Sequence, residues 1–127
     1  MKQAKGIDKH LDTAWSLLVK LIAGNECEVD MCGKTTTLNS HHIYTRANKA
    51  VRWSTKNGIC LCASHHVLSS DFSAHGTPIP FNRWLEKKRG SDFMDLLEAK
   101  ARSISKLHTF EKELLLKELQ KEIKLLQ

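Results

Sequence analysis

The sequence predicts an α+β fold that is mostly helical, with a short pair of strands in the middle of a single domain. Apolar residues recur at steps of three and four near both ends of the chain, which is the spacing of helices. The middle is rich in β-branched residues and holds a turn-forming Asn-Gly dipeptide at 57–58. A chain of 127 residues can bury one modest core. We divide residues 1–127 into an N-terminal helix (1–24), a core (25–75) and a C-terminal helical extension (76–127).

The N-terminal helix should bury one face and end near Gly24. The residues predicted on that face are Ile7, Leu11, Ala14, Trp15, Leu18 and Ile22. Residues 35–43 should lead into a first strand, and residues 59–61 should form a second strand after the Asn-Gly turn. From Ala63 onward the chain should become helical.

Three helices are predicted after the core. Pro80 should begin the first and Gly90 should end it. Ser91 should cap the second helix and Thr109 the third, which runs to Gln127. The residues predicted to face inward from the second helix are Phe93, Leu96, Leu97, Ala101 and Ile104. In the third helix the inward residues are Leu116, Leu119, Ile123 and Leu126, a coiled-coil spacing that favours packing and also allows a homodimer through this helix.

The chain is basic, with a formal net charge of +6. Residues 27–66 carry five basic side chains against two acidic ones, and residues 67–90 carry four against two. An excess of positive charge in one region suits a polyanion such as nucleic acid, although solvated surface charge is the plainer alternative. The candidate DNA-binding residues are Arg46, Lys49, Arg52, Arg83, Lys87 and Lys88.

The location predicted from the sequence is intracellular. The most apolar stretch, residues 15–23, is too short to cross a membrane. Residues 1–10 alternate in charge and lack the layout of a signal peptide. We therefore expect reduced thiols, although four cysteines could also form disulfides in three different pairings.

The four cysteines and four of the seven histidines lie within one window of forty residues. Cys27 and Cys32 form a first short knuckle, and Cys62 and His65 form a second one about thirty residues later. Two such knuckles can close a tetrahedral zinc site that stabilises a small domain. A rival set replaces His65 with Cys60, because residues 60 and 62 share one face of a strand.

The remaining histidines of the window suggest a second site. Neighbours on a strand point to opposite faces, and neighbours on a helix diverge by about 100°. His41 and His42 should therefore have different partners, and so should His65 and His66. One imidazole could bind a metal ion while another takes a proton from water. His75 could ligate the ion or bind phosphate, or it could form only a local hydrogen bond.

The ordered set of residues in "SHHI…NGICLCASHH" resembles the motif of HNH endonucleases, which have the ββα-metal fold. His42-Ile43 matches the first histidine of that motif, Asn57 its asparagine, Leu61-Cys62 its Leu-Cys pair, and His66 its last histidine. The match covers residues 27–66, about a third of the chain. The sequence departs from the family pattern in two places, because the first cysteines have the spacing Cys-x4-Cys and His65 stands where the family has cysteine. The segments "HHIYTRANKAVRW" and "FSAHGTP" further resemble HNH proteins of bacteriophages, which would place the protein in a host cytoplasm.

The resemblance implies a role for each matched residue. It implies that His42 is the general base that activates water, and that His41 and His66 bind one catalytic divalent ion (Mg²⁺, Mn²⁺, Ni²⁺ or Zn²⁺). It implies that Asn57 holds the loop between the strands and so orients His42. Structural Zn²⁺ would be held by Cys27, Cys32, Cys62 and His65. The implied activity is hydrolysis of phosphodiester bonds, by nicking or double-strand cleavage, in DNA that is double-stranded.

Two other functions are compatible with the sequence. A zinc-stabilised nucleic-acid-binding module without catalysis would use the cysteine knuckles and the basic charge, but it gives no reason for His41, His42 and His66 to converge. A protein-interaction adaptor would use the amphipathic last helix. Neither the target of cleavage nor the oligomeric state follows from the sequence.

Overall fold

The structure, a computed structural model, describes residues 2–127, with side chains described from Gly6 onward. Met1, the first residue of the predicted N-terminal helix, lies outside the described residues. The elements are α1 (Lys2–Ile22), β1 (Leu38–His42), β2 (Gly58–Cys62), α2 (Pro78–Arg89), α3 (Ser91–Ala101) and α4 (Thr109–Leu126). A 3₁₀ turn at Thr55–Asn57 precedes β2, and a π-helical turn at Ser64–Leu68 follows it. The predicted α+β class is confirmed, with about 55% of the chain helical.

The sheet consists of β1 and β2, which pair antiparallel. His41 lies opposite Ile59, and His42 lies opposite Gly58. Because successive side chains of a strand point to opposite faces, the two histidines project to different sides of the sheet. His41 and His42 therefore contact different parts of the protein.

One side of the sheet is covered by α1, and α1 packs along its length against α4. The shared core contains Trp15 and Leu18 of α1, Cys60 of β2, and Leu119 and Ile123 of α4. Four of the six residues predicted on the buried face of α1 are buried, and Ile7 is partly buried. Ile22 is 58% exposed instead, because α1 ends there.

The other side of the sheet packs against α2 and the cysteine loop. Ile59 and Leu61 of β2 contact Phe81 and Leu85 of α2 within a second core, which also includes Cys62. Pro78 and Pro80 begin α2, and Gly90 ends it with a φ of 91°. The sheet is therefore a thin layer between two helical layers, with β2 buried along its whole length and β1 only half-buried.

The predicted ends of α3 and α4 differ slightly from the structure. Gly90 precedes α3 as its N-cap, so Ser91 is the first helical residue and does not cap it. Likewise His108 precedes α4, and its backbone N–H donates to Glu111 Oε1 at 3.1 Å. Thr109 is therefore not the cap.

Two of the five residues predicted to face inward from α3 are exposed, and Phe93 and Ala101 are half-buried. Leu97 is buried, whereas Leu96 is 73% exposed and Ile104 is fully exposed. The helix ends at Ala101, so helical spacing does not extend to Ile104. In α4, by contrast, Leu119 and Ile123 are buried against α1, which shows that the predicted apolar seam is used within the chain. No helix among residues 2–127 is long and apolar enough to cross a membrane.

Candidate metal and catalytic site

Three cysteines and one histidine converge beside the end of β2. The ligand atoms of Cys27, Cys32, Cys62 and His65 all lie within 4.8 Å of one another. His65 Nδ1 lies 3.5 Å from Cys27 Sγ and 3.4 Å from Cys62 Sγ, and the Sγ atoms of Cys32 and Cys62 are 4.0 Å apart. These four residues could hold a metal ion such as zinc.

The spacing of these atoms matches a tetrahedral zinc site. With Zn–S bonds of about 2.3 Å and Zn–N bonds of about 2.0–2.1 Å, ligand atoms at the corners of a tetrahedron lie about 3.4–3.8 Å apart. The measured separations of 3.4–4.0 Å fall close to this range. The donor set of thiols and imidazole is the one that zinc prefers.

The pKa values of the cysteines show where a bound cation would displace a proton. Burial raises the pKa of Cys27 to about 12. Burial opposes ionisation of Cys62 as well, but hydrogen bonds from the backbone N–H of His65 and from the neighbouring thiols outweigh it and lower its pKa. Without a cation the cluster therefore keeps the proton on Cys27, and metal binding would release it.

Cys60 lies apart from this cluster. It is fully buried in the core between α1 and α4, and burial together with the charge of Glu28 raises its pKa to about 11. Cys62 is the last residue of β2, where the chain turns into the π-helical segment, so its side chain leaves the face that Cys60 occupies. The structure therefore brings His65, and not Cys60, together with Cys27, Cys32 and Cys62.

Three histidines form a second cluster. The ligand atoms of His41, His66 and His75 lie within 4.8 Å of one another, and the Nε2 atoms of His66 and His75 are 3.2 Å apart. Imidazole nitrogens on a tetrahedral zinc ion would be about 3.3 Å apart. The residues present therefore fit a divalent ion, with His41 from β1 and His66 from the π-helical turn.

The electrostatics favour the neutral form of His41 and His66. Burial, followed by the nearby His66 and His75, lowers the pKa of His41 to about 3. Burial and the proximity of His75 lower the pKa of His66 as well. Neutral rings offer lone pairs at pH 7, which is the state that binds a metal ion.

His75 is brought to the cluster by a loop that folds back on the π-helical turn. The backbone N–H groups of Ala74 and His75 donate to the carbonyls of His65 and His66 at 2.8 and 3.0 Å. Buried Ser73 closes the loop by accepting from the backbone N–H of Gly76 at 2.9 Å. A Cβ on Gly76 would lie 2.5 Å from Ser73 Oγ.

Three roles are open to His75 from the sequence: a metal ligand, a phosphate ligand or a partner in a local hydrogen bond. The structure places it with His41 and His66. It lies nine positions after His66 in a loop without helical or strand periodicity, so spacing alone could not locate it. The Ser-Ala-His-Gly-Thr segment is a turn signal that would have pointed to a tight loop here.

His42 projects from β1 toward α1, away from these three imidazoles. Its ring stacks on the indole of Trp15 with centroids 3.8 Å apart and planes 8° from parallel. Its Nε2 lies 3.0 Å from the carbonyl oxygen of Arg52. A carbonyl only accepts, so Nε2 carries the proton and Nδ1 keeps the lone pair. Burial lowers the pKa of His42, although the Arg52 carbonyl opposes this, so the ring is a neutral base at pH 7.

Both groups of histidines open onto one cleft. The cleft has a volume of about 540 Å³ and is lined by His41, His42, His66 and His75 together with Arg46 and Asn82. Nδ1 of His42 has no protein partner among the described residues. In the described part of the chain, every buried side-chain nitrogen and oxygen does have a partner, so Nδ1 is not a buried atom. Nδ1 is therefore accessible to solvent. The cleft juxtaposes a neutral base with a set of metal ligands.

Asn57 is fully buried and lies away from the metal ligands. Its side chain donates to the Tyr44 carbonyl at 2.9 Å and accepts from the Tyr44 N–H at 2.7 Å. Its own carbonyl accepts from the Ile43 N–H at 2.9 Å. These three bonds hold the chain immediately after His42.

The candidate DNA-binding residues differ in availability. Arg46 lines the cleft with 67% of its side chain exposed. Arg52 does not have a free guanidinium, because it donates to both carboxylate oxygens of Asp12 at 3.1 and 2.8 Å and is only 14% exposed. The predicted phosphate contact of Arg52 is therefore replaced by an internal ion pair.

The other four basic candidates lie on the surface. Lys49, Arg83, Lys87 and Lys88 are exposed, and Lys88 approaches Asp30 at 3.5 Å. Arg83 and Lys87 line a shallow groove along α2. These four side chains add positive charge to the surface of the chain.

No protein-family model, curated protein or solved structure matches the chain. The resemblance to the HNH family stays a prediction from the motif.

Proposed function

We propose that the protein is a metal-dependent endonuclease with an HNH-type ββα-metal core, which hydrolyses phosphodiester bonds in DNA. The observation that carries this proposal is the single cleft lined by the neutral base His42 and by the imidazoles of His41, His66 and His75. In this proposal β1, β2 and the turn carrying His66 are the ββα unit. The cluster of Cys27, Cys32, Cys62 and His65 is its structural zinc site.

His42 acts as the general base. Its Nδ1 takes a proton from water, the water oxygen attacks phosphorus, and the bond from phosphorus to the 3′-oxygen breaks. Because Nε2 is committed to the Arg52 carbonyl, only Nδ1 can accept this proton. A general base of this kind contributes about 10²–10⁴-fold to the rate.

His41, His66 and His75 hold the divalent ion. When bound, the ion supplies positive charge that stabilises the phosphate and the leaving oxygen. An all-imidazole donor set favours ions such as Zn²⁺, Ni²⁺ or Co²⁺ over Mg²⁺, which prefers oxygen ligands. Arg46 at the edge of the cleft supports binding of the phosphate backbone.

The test is a plasmid-nicking assay with a series of divalent ions. The wild-type protein should convert supercoiled plasmid to nicked or linear product, and EDTA should stop the reaction. His42→Ala should lose at least about 100-fold in rate. His10→Ala is the matched control, because His10 is an exposed histidine on α1, and it should nick at the wild-type rate.

The competing function is a zinc-stabilised nucleic-acid-binding module. The cysteine cluster and the basic surface serve it equally well. Salt-dependent DNA binding by the wild-type protein, with no cleavage under any divalent ion, would favour it and overturn the nuclease proposal.

A further inference from the structure

Two residues of α1 hold the surroundings of His42, although α1 lies outside the motif in residues 27–66. Trp15 stacks face to face on the His42 ring, and its indole N–H donates to the Ser54 carbonyl at 2.7 Å. The hydrogen bond ties the indole to the loop before β2, and the indole is only 1% exposed. The plane of the His42 ring is therefore fixed by Trp15, whose backbone is part of α1 and whose indole N–H is bonded to Ser54.

Asp12 holds the other contact of His42. Its carboxylate accepts two hydrogen bonds from Arg52 and a third from the indole N–H of Trp53 at 2.8 Å. The backbone carbonyl of the same Arg52 accepts the Nε2 proton of His42 at 3.0 Å. Asp12 thus fixes the residue whose carbonyl decides which nitrogen of His42 carries the proton.

We propose that Asp12 and Trp15 are positioning residues for His42, so that α1 is part of the catalytic unit. Trp15 sets the plane of the ring, and Asp12, through Arg52, holds the carbonyl that bonds to Nε2 and so selects one of the two flipped orientations of the ring. Together they direct the lone pair of Nδ1 away from Arg52. The inference rests on the proposed nuclease function for its kinetic consequence, but the positioning itself is a property of the folded protein.

A second ion pair on α1 allows the role of the Asp12–Arg52 pair to be separated from simple stabilisation of the helix. One turn earlier on α1, Asp8 pairs with Lys112 of α4 at 2.8 Å. The two ion pairs are similarly shielded from solvent, with side-chain exposures of 28% and 18% for Asp8 and Lys112 against 27% and 14% for Asp12 and Arg52. Asp12 pairs directly with the residue whose carbonyl bonds to His42, whereas Asp8 does not, so Asp8→Asn is a matched control.

The experiment compares Asp12→Asn, Asp8→Asn and wild type by two measurements. Single-turnover nicking at saturating protein gives the rate of cleavage separately from DNA affinity. Long-range ¹H–¹⁵N NMR of the histidine side chains gives the tautomer of His42 without any reaction. Asp12→Asn should slow single-turnover cleavage by roughly 10- to 100-fold, the range for a misplaced catalytic group. DNA affinity is measured separately, because Asp12 also pairs with Arg46 at the edge of the cleft at 3.5 Å. Asp12→Asn should also convert His42 from the Nε2–H tautomer to a mixture.

Asp8→Asn should keep both the cleavage rate and the tautomer of wild type. If Asp12→Asn matches Asp8→Asn in both measurements, the positioning role of Asp12 is refuted. If wild type does not nick at all but Asp12→Asn still alters the His42 tautomer, the positioning is supported and only the nuclease function fails.

A second pair of variants tests Trp15. Trp15→Phe keeps an aromatic face against His42, whereas Trp15→Leu removes it. Trp15→Phe should retain more of the cleavage rate than Trp15→Leu at equal fractions of folded protein. Equal rates for the two variants would show that the stack does not orient His42.

Discussion

Replacing Gly58 with alanine should destabilise the fold, because this residue lies directly against α1. A Cβ at position 58 would lie 2.5 Å from Cγ2 of Val19 and 2.9 Å from Cζ2 of Trp15, whereas favourable carbon contacts begin near about 3.5 Å. Val19 is stiff because it is β-branched within a helix, and Trp15 is tied to the Ser54 carbonyl. Overpacking of this kind costs about 1–3 kcal/mol. For a chain of this size the midpoint of thermal unfolding should fall by roughly 3–15 °C.

The assay is thermal unfolding followed by circular dichroism with zinc in excess. Gly6→Ala is the control, because a Cβ at Gly6 of α1 meets no atom within 4 Å and alanine should favour the helix by about 0.5–1 kcal/mol. The displaced Trp15 should also disturb the His42 stack and slow nicking. A Gly58→Ala protein as stable as wild type would refute the close packing of α1 on β2.

Four residues provide three further tests. Cys62→Ala should lose the zinc that wild type binds, measured by metal analysis of the purified protein, whereas Cys60→Ala should keep it, and equal zinc in both would contradict the assigned ligands. His75→Ala should weaken binding of Ni²⁺ at the histidine cluster by more than about tenfold in calorimetry, because removing even a residue that only hydrogen-bonds to a metal ligand costs that much affinity. Unchanged affinity would show that His75 is not a ligand. The stability difference between wild type and Asp12→Asn should shrink in acid. Burial raises the pKa of Asp12, but the hydrogen bonds from Arg52 and Trp53 outweigh it and hold the pKa below its ordinary value of 3.8. The ionised carboxylate therefore stabilises the fold fully above that value, and this contribution is lost as the pH falls through the lower pKa of the folded state. Urea unfolding at pH 6 and pH 3 measures it, and a difference that grows in acid would reverse the sign.

Much of the fold follows from periodicity in the sequence. The apolar spacing of α1 predicts that Leu11, Trp15 and Leu18 are buried, and each is. The Asn-Gly dipeptide predicts the turn that begins β2. Helix ends were less predictable, because a cap is decided by one residue and its hydrogen bonds, as Gly90 and His108 show.

The cysteine cluster could be predicted from spacing because its ligands come in two short local pairs. Each pair is fixed by a turn, so only the pairing of the turns depends on the fold. The choice between His65 and Cys60 was not decidable from strand alternation, since Cys62 lies where β2 ends and alternation ceases.

The surroundings of His42 could not be predicted from the motif. Asp12 and Trp15 lie on α1, about thirty residues before His42, and no local pattern links them to it. Arg52 looked like a surface phosphate ligand because its charge is visible in the sequence and its partner Asp12 is not adjacent. Contacts of this range depend on how α1 packs on the sheet.

Single-turnover nicking by His42→Ala tests whether His42 is the base of a metal-dependent nuclease. With Ni²⁺ or Mn²⁺ present, and with zinc content and unfolding midpoint equal to those of wild type, the variant should nick at least about 100-fold more slowly. His10→Ala, measured beside it, should match wild type. A folded, zinc-loaded His42→Ala protein that nicks as fast as wild type would contradict this role of His42.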